Sequence, residues 1–279
     1  MHPLILAMKQ EEPLQMIGVL NAYSALMAES AGFKALYISG AGIANISHGI
    51  PDIGLLSIDD LLRDLEPITK VSSLPILIDI DTGWEGGKKL LEAIPLLEAA
   101  GAHAVQIEDQ LLKDKKCGHL LDKKLVSIKK MVTKIETIQK KQKKLKIVAR
   151  SDAYETEGLQ GVIKRGLAYK QAGADIFFPE ALPDVHAFLE CADQINLPIL
   201  ANLTEFGQTP ILNLKELKKA KVSIALYPLT LSRAMQQAAW NTLVHLRKKG
   251  NQKQILNTMQ TRKELYHFLK YSPYAKGAK

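Results

Sequence analysis

The chain has 279 residues, of which 47% are hydrophobic and 24% are charged, and its formal net charge is +8. This composition excludes disordered, collagen-like and coiled-coil chains, and no apolar stretch approaches the roughly 20 residues of a membrane span. With only two cysteines, Cys117 and Cys191, a disulfide framework is excluded, and we expect a reducing, cytoplasmic compartment.

Short aliphatic and β-branched runs recur along the chain and predict strands that are buried on both faces of a parallel sheet. These runs are residues 17–21, 35–39, 76–79, 104–108, 147–150, 176–180, 199–202 and 224–227. Amphipathic segments between them predict helices at 57–69, 87–100, 127–141, 159–172 and 185–195. Eight β/α units in about 250 residues predict a closed (β/α)₈ barrel. We place the barrel in residues 1–250 and a helical extension in 251–279, together forming a single domain.

Every predicted strand ends in polar or ionisable side chains. They are Asn21, Ser39, Asp79 with Asp81, Glu108 with Asp109, Arg150 with Asp152, Glu180, Asn202 with Thr204, and Tyr227. In a barrel these ends converge on one face, which is where catalytic residues lie. Any one of them could instead cap a helix, but eight at one rim predict an acidic active site.

Four carboxylates at this rim suggest a metal site. Asp79 and Asp81 lie two residues apart and face the same side if the strand continues, Glu108 ends the next strand, and Asp52 lies in a long loop. Clustered carboxylates repel one another unless a cation neutralises them, and an all-oxygen set suits Mg²⁺ or Mn²⁺ better than Zn²⁺. The alternative for Asp52 is a hydrogen-bonded brace within its loop.

The most specific string is Lys115-Lys116-Cys117-Gly118-His119, in the loop after the fourth strand. Ammonium and imidazole groups around a thiol predict that its thiolate is favoured, and glycine lets the backbone approach a ligand closely. The alternative is an incidental loop cysteine. Cys191, within an amphipathic helix, is predicted to be a packed hydrophobe.

Basic residues fall into two groups. Arg150, Arg233 and Arg262 could hold an anionic substrate, with surface ion pairs as the alternative. The excess positive charge lies between Lys113 and Lys146, where no arginine or aromatic residue accompanies the lysines. Nucleic-acid surfaces usually combine arginine with aromatic side chains, so we interpret this segment as a solvated helix face. Nucleic-acid binding is the remote alternative.

These strings resemble the isocitrate lyase and phosphoenolpyruvate mutase superfamily. The most specific match is Lys-Lys-Cys-Gly-His-Leu at 115–120, and the strings at 37–42, 79–81, 107–110, 201–207 and 259–266 are similar to the 2-methylisocitrate lyase branch. The sequence departs from that pattern at Gln106, where histidine is expected, at Trp84-Glu85, where smaller residues are usual, and at Ala41, where glycine is frequent.

The resemblance implies a TIM-type barrel with C-terminal helices exchanged between subunits of a homotetramer, a dimer of dimers. It implies Mg²⁺-dependent cleavage of 2-methylisocitrate to pyruvate and succinate in the methylcitrate cycle of propionate catabolism. The alternatives are a lyase for a related branched dicarboxylate, such as 2,3-dimethylmalate, or for isocitrate. No nucleic-acid or membrane partner is implied.

The same resemblance implies the roles of individual residues. Asp79 and Asp81 would hold the metal, Asp52 and Glu108 its waters, and Cys117 would exchange a proton with the succinate carbanion. The other catalytic-loop residues are Lys115, Lys116, Gly118 and His119. The implied substrate contacts are Ser39, Gly40, Ala41, Cys117, Gly118, Arg150, Glu180, Asn202, Leu203, Thr204, Arg233 and Arg262.

Overall fold

The computed structural model describes residues 1–117 and 120–272. Eight parallel strands form a closed barrel in which each strand pairs with the next and the last pairs with the first, so the predicted (β/α)₈ TIM-type fold is confirmed. The strands are β1 Leu14–Gly18, β2 Ala35–Ile38, β3 Ile76–Asp79, β4 Ala104–Glu108, β5 Lys146–Ser151, β6 Ile176–Pro179, β7 Ile199–Asn202 and β8 Val222–Tyr227.

Helices surround the barrel and extend beyond it. They are α1 Pro3–Gln10, α2 Ala22–Ser30, α3 Gly40–Gly42, α4 Ile58–Thr69, α5 Gly87–Ala99, α6 Ile128–Lys141, α7 Tyr154–Gln171, α8 Val185–Ile195, α9 Leu214–Lys219, α10 Thr230–Lys249 and α11 Arg262–Phe268. A π-helical turn follows α3, and 3₁₀ turns follow β4 and α10. The helix predicted from 159 is the part of α7 beyond Gly158, whose φ of 62° kinks that helix.

The first strand differs from its prediction. It ends at Gly18, where an added Cβ would lie only 1.8 Å from the carbonyl oxygen of Pro228, so the chain approaches its neighbour closely there. Asn21, predicted as a rim residue, is instead the N-cap of α2: its side chain accepts a hydrogen bond from Ser24 N–H. The prediction was wrong because Val19 and Leu20 continue the apolar run beyond the strand.

Two apolar clusters make up the core. The larger one lies between the strands and the helices. The smaller one fills the barrel interior and is closed at the amino-terminal end by Leu4 and Ala7 of α1. Along each strand, alternate side chains point inward. Apolar residues occupy the inward positions near the amino-terminal ends of the strands. The inward positions near the carboxyl ends carry polar side chains.

The C-terminal part is the most exposed region of the fold. Of the residues in α10 only Ser232 is buried, while Trp240 and Leu243 are exposed. Within the single chain α11 returns to α2, where the Tyr23 hydroxyl donates to Gln260 Oε1 and the Tyr23 ring meets Phe268 edge-on. Exchange of these helices concerns an assembly, so it stays a prediction.

The lysine-rich segment is only partly the solvated face that we predicted. Most of its lysines are exposed, but Lys115, Lys123 and Lys134 are buried. Burial lowers the pKa of Lys134 to about 8. Among the described residues, no helix is both long and apolar enough to cross a membrane.

Candidate active site

The carboxyl ends of the strands surround a cavity, here called the rim cavity. Because the strands are parallel and in register, Asp79 lies beside Gln106 and Glu108 lies beside Arg150 on neighbouring strands. The convergence predicted from the strand ends is therefore present. The residues that line the rim cavity are Tyr37, Ser39, Ala41, Asp52, Asp79, Cys117, Arg150, Phe178, Asn202, Thr204, Leu226, Pro228, Leu229 and Arg233.

Asp79 is hydrogen-bonded through both carboxylate oxygens. Its Oδ1 accepts from Gln106 Nε2 over 2.9 Å and from Asp81 N–H over 3.0 Å. Its Oδ2 lies 3.2 Å from the Tyr37 hydroxyl and 3.3 Å from Gly40 N–H. An added Cβ at Gly40 would lie 3.1 Å from Asp81 Oδ1, so a glycine allows the start of α3 to approach both carboxylates.

The carboxylates resist ionisation because they are buried together. Burial, followed by the nearby Glu108, raises the pKa of Asp79 to about 6, and burial together with Asp79 raises the pKa of Asp81 to about 7. Burial raises the pKa of Glu108 to about 8, although Arg150 Nη1 lies 3.5 Å from its Oε2. Glu108 Oε1 is buried and has no hydrogen-bond partner. The rim therefore has more negative charge than its own cations neutralise.

Lys115 supplies part of the missing positive charge. Its Nζ lies 2.5 Å from Asp52 Oδ1 and 3.0 Å from Asp81 Oδ1, and the side chain is buried. Burial lowers the pKa of an amine, but Glu108, Asp81 and Asp52 outweigh it and raise the pKa of Lys115 above its ordinary value. The ammonium thus ties the Asp52 loop to the end of β3.

The oxygen donors fit a Mg²⁺ ion. No three His, Cys, Asp or Glu side chains of residues 1–117 and 120–272 lie close enough together to enclose an ion on their own. Mg²⁺ usually takes one or two protein carboxylates and keeps several waters. Asp79 and Asp81 would provide such a pair, and Glu108 Oε1, which has no hydrogen-bond partner among residues 1–117 and 120–272, would be free to accept from a metal-bound water.

Cys117 lies in the rim cavity, but the pKa of its thiol shifts in the direction opposite to the prediction. Burial and the Asp52 carboxylate raise the pKa of its thiol to about 11, and these effects outweigh Arg150 and Lys115, which lower it. The predicted lowering of this pKa by the neighbouring cations was wrong because the sequence does not show that Asp52 comes from a distant loop to bond the thiol. A neutral thiol is a proton donor.

Arg150 forms the cationic wall of the rim cavity. Asp152 binds it through two hydrogen bonds, Nε to Oδ2 at 3.0 Å and Nη2 to Oδ1 at 2.8 Å, and Glu180 Oε2 lies 3.7 Å from its Nε. Burial opposes ionisation of Asp152, but Arg150 and Lys123 lower its pKa to about 2. The guanidinium also lies over the Phe178 ring, 5.2 Å from its centroid.

Further polar groups extend from this wall to the cavity mouth. Thr204 Oγ1 donates to Asn202 Oδ1 over 2.7 Å, and Asn202 Nδ2 donates to Glu180 Oε2 over 3.2 Å. Arg233, in the first turn of α10, lies with its Nε 3.4 Å from Glu205 Oε2. Arg150 and Arg233 are thus two cations on the cavity wall that can bind anionic groups.

The structure does not bring every predicted residue to the cavity. The Lys116 side chain points away, and its Nζ donates to Leu121 O. The Leu203 side chain packs in the outer core, and Tyr227 lies toward Gln15. Arg262 lines a separate cavity between α2 and α11. Gly118 and His119 are outside the described residues.

The sequence reasoning missed two residues that contact Asp79 and a network behind Arg150. Tyr37 and Gln106 have period-two spacing with Ser39 and Glu108, so strand alternation could have identified them. The network centres on Asp109, which accepts from Ser151, Asp152 N–H, Arg165 and Tyr169. It joins β4, β5 and α7, and no local sequence signal indicates it.

Comparison with known proteins places this geometry in a family. The family model described as Phosphoenolpyruvate phosphomutase matches residues 5–247. The chain belongs to this family. It is 44% identical over 277 residues to a 2-methylisocitrate lyase of Vibrio cholerae, covering 96% of the chain and 90% of the relative. A 2-methylisocitrate lyase of Shewanella oneidensis is 45% identical over 270 residues, with 96% and 92% covered.

A solved structure adds a relative with a different substrate name. 2,3-Dimethylmalate lyase, a member of the PEP mutase/isocitrate lyase superfamily, matches with a TM-score of 0.86 at 30% identity, covering 95% of this chain and 89% of that chain. The resemblance stated from the sequence is thus confirmed. The chain is an enzyme of this superfamily and shares the carbon–carbon lyase class of its relatives.

Proposed function

We propose that the chain cleaves 2-methylisocitrate to pyruvate and succinate with Mg²⁺ as cofactor. The observation that carries this proposal is that the Cys117 thiol lies in one cavity with the Asp79 carboxylate and the Arg150 guanidinium. A retro-aldol cleavage needs these three elements: a site for a cation, donors for substrate carboxylates, and an acid for the carbanion. The relatives' names point to the same substrate.

The proton balance of this reaction assigns a role to Cys117. The substrate hydroxyl loses its proton to a carboxylate of the rim, the carbon–carbon bond breaks to leave pyruvate, and the electron pair remains on the succinate carbon as an aci-carboxylate. Cys117 donates the proton to this carbon from the thiol. Return of the proton from the rim carboxylate to the Cys117 thiolate then restores the enzyme. Arg150, Asn202 and Thr204 orient the substrate carboxylates, and Asp79 with Asp81 would hold Mg²⁺, which stabilises developing negative charge on oxygen.

The apolar side of the rim cavity supports a methyl-bearing substrate. Phe178, Leu226 and Leu229 are among the cavity's lining residues, and burial of one methyl group contributes about 1 kcal/mol. We therefore expect pyruvate release from 2-methylisocitrate with Mg²⁺ to exceed cleavage of isocitrate by about fivefold or more in kcat/KM. Equal rates for both substrates, or no pyruvate from 2-methylisocitrate, would contradict the proposal.

A second candidate substrate is a dimethyl-substituted malate. The fold match to 2,3-dimethylmalate lyase and the same apolar residues favour it. The relative kcat/KM for 2-methylisocitrate and 2,3-dimethylmalate, measured on one preparation, decides between the two. We expect the tricarboxylate to be preferred, because Arg233 and Arg150 offer cations at separate places on the cavity wall.

We further propose a homotetramer, a dimer of dimers, that acts in propionate catabolism in the cytoplasm. The exposed apolar side chains of α10 and the segment after it, Trp240, Leu243 and Leu256, support burial against another subunit. Deletion of residues 252–279 should lower both the mass measured by light scattering and the activity. A truncated chain that stays tetrameric and fully active would contradict this assignment.

A further inference from the structure

The two ends of the loop that carries Cys117 are hydrogen-bonded to each other. Here the cysteine loop means residues 111–125, between β4 and α6. Leu111 N–H donates to Lys124 O over 2.7 Å, and Val126 N–H donates to Asp109 O over 2.8 Å. The outgoing and returning chains meet in an antiparallel bridge between Gln110 and Leu125. Gln110 therefore has a fixed backbone at the base of the loop.

The side chain of Gln110 crosses the loop and binds both backbone groups of one residue, Lys116. Its Nε2 donates to Lys116 O over 3.0 Å, and its Oε1 accepts from Lys116 N–H over 3.0 Å. This is the pair of hydrogen bonds that a neighbouring strand would make to a single residue. Gln110 is almost fully buried, and its carboxamide satisfies both backbone groups of Lys116.

Lys116, whose backbone Gln110 binds, immediately precedes Cys117. Lys116 contributes no side chain to the rim cavity, because its Nζ turns outward to Leu121 O. Lys115 is anchored differently, through its ammonium to Asp52 and Asp81. The Lys115 ammonium is at the end of a flexible four-carbon chain, so its ion pairs leave the Lys115 backbone several conformations. The Gln110 carboxamide binds the Lys116 backbone directly and therefore restricts its conformation.

We propose that Gln110 is a positioning residue. Its carboxamide holds the backbone N–H and C=O of Lys116 and thereby keeps Cys117 Sγ in the rim cavity. The consequence for turnover rests on the proposed role of Cys117 as proton donor, while the consequence for the thiol's accessibility does not. Binding both backbone groups of Lys116 requires a hydrogen-bond donor and an acceptor on one side chain. Glutamine has both, whereas an ionised glutamate has no donor.

The test compares Gln110→Met, which keeps the side-chain volume but removes both hydrogen bonds, with Gln160→Met. Gln160 is a matched control because it donates to Glu190 on the surface of α7 and α8. Both are made in a Cys191→Ser background, and the rate of Cys117 alkylation by iodoacetamide is followed by mass spectrometry. We expect alkylation in Gln110→Met to be about tenfold faster, since losing two hydrogen bonds populates open loop conformations, and the control to be unchanged.

The second readout is steady-state kinetics with 2-methylisocitrate. Gln110→Met should lower kcat by about tenfold and change KM by less than about twofold, because the proton donor and not the substrate contacts is displaced. Gln110→Asn, whose shorter side chain cannot span both groups, should behave alike and serves if the Met variant fails to fold. An alkylation rate equal to the control overturns the proposal, even if the protein cleaves another substrate. Faster alkylation with unchanged kcat would support the positioning role of Gln110 and would instead overturn the proposed role of Cys117 as proton donor, so the two failures are distinguishable.

Discussion

The two ends of the barrel are built from the same eight strands but are filled by different side chains. At the amino-terminal end, interior positions such as Leu14 and Leu77 are apolar and covered by Leu4 of α1. At the carboxyl end, Asp79 and Glu108 follow on the same inward faces, with pKa values raised by burial. The comparison shows that stability and chemistry are separated along the strands, so substitutions at the two ends should have opposite effects.

The largest expected effect is at the carboxyl end, on the metal. Asp81→Ala should lower kcat/KM by ~10³-fold or more and should not respond to Mg²⁺ after chelation, because several kcal/mol of charge stabilisation are lost. Native protein treated with EDTA should lose activity and regain it with Mg²⁺ or Mn²⁺. Asp193→Ala, an exposed carboxylate paired with Lys221, is the control and should keep this response. Full activity after exhaustive chelation would contradict the metal assignment.

The next effect concerns proton delivery. Cys117→Ser should lower kcat by on the order of 10²-fold, because a hydroxyl is a much weaker acid than the thiol that it replaces, and KM should change little. Cys191→Ser, in the buried face of α8, should leave kcat unchanged. Steady-state pyruvate release gives both values. Equal, mild losses for the two serine variants would remove Cys117 from the mechanism.

At the amino-terminal end the expected change is in stability alone. Leu4 is fully buried beneath the barrel, so Leu4→Ala should lower the free energy of unfolding by about 2–4 kcal/mol. The distance from the rim should leave kcat and KM unchanged. Leu6→Ala, at an exposed position of the same helix, is the control for helix propensity. Urea unfolding supplies the stability, and a comparable loss of kcat in Leu4→Ala would show that the two ends are coupled.

The carboxyl end was largely predictable because the strands are parallel, so that all their carboxyl ends meet at one rim of the barrel. Asp79, Glu108 and Arg150 were found from this rule alone. Tyr37 and Gln106 were overlooked because they lie within the strands rather than at their ends. The fold could be predicted from the repetition of apolar runs alone, because each of the eight strands of the barrel is such a run in the sequence.

Other features depend on contacts that no local pattern contains. The pKa of Cys117 is set by burial and by Asp52, some 65 residues away in the chain, so the lysines beside it in sequence were misleading. The place of Arg262 depends on how α11 packs, and an apolar tail indicates burial without naming the surface that covers it. These are questions of tertiary and quaternary packing.

The smallest expected effect is a gain in stability on substitution of Glu108, at the carboxyl end of the barrel. The pKa of Glu108 is raised to about 8, so the folded protein binds this proton more tightly than the unfolded chain, whose pKa is near 4.5. The resulting stabilisation is complete below pH 4.5 and is lost as the pH rises through 8. Glu108→Gln is permanently neutral and should be more stable than metal-free native protein by about 1 kcal/mol or more at pH 9. At pH 4, below both pKa values, this difference should nearly disappear, and the variant should have lost activity. Equal stabilities at pH 9 would show that the buried carboxylate does not destabilise the rim.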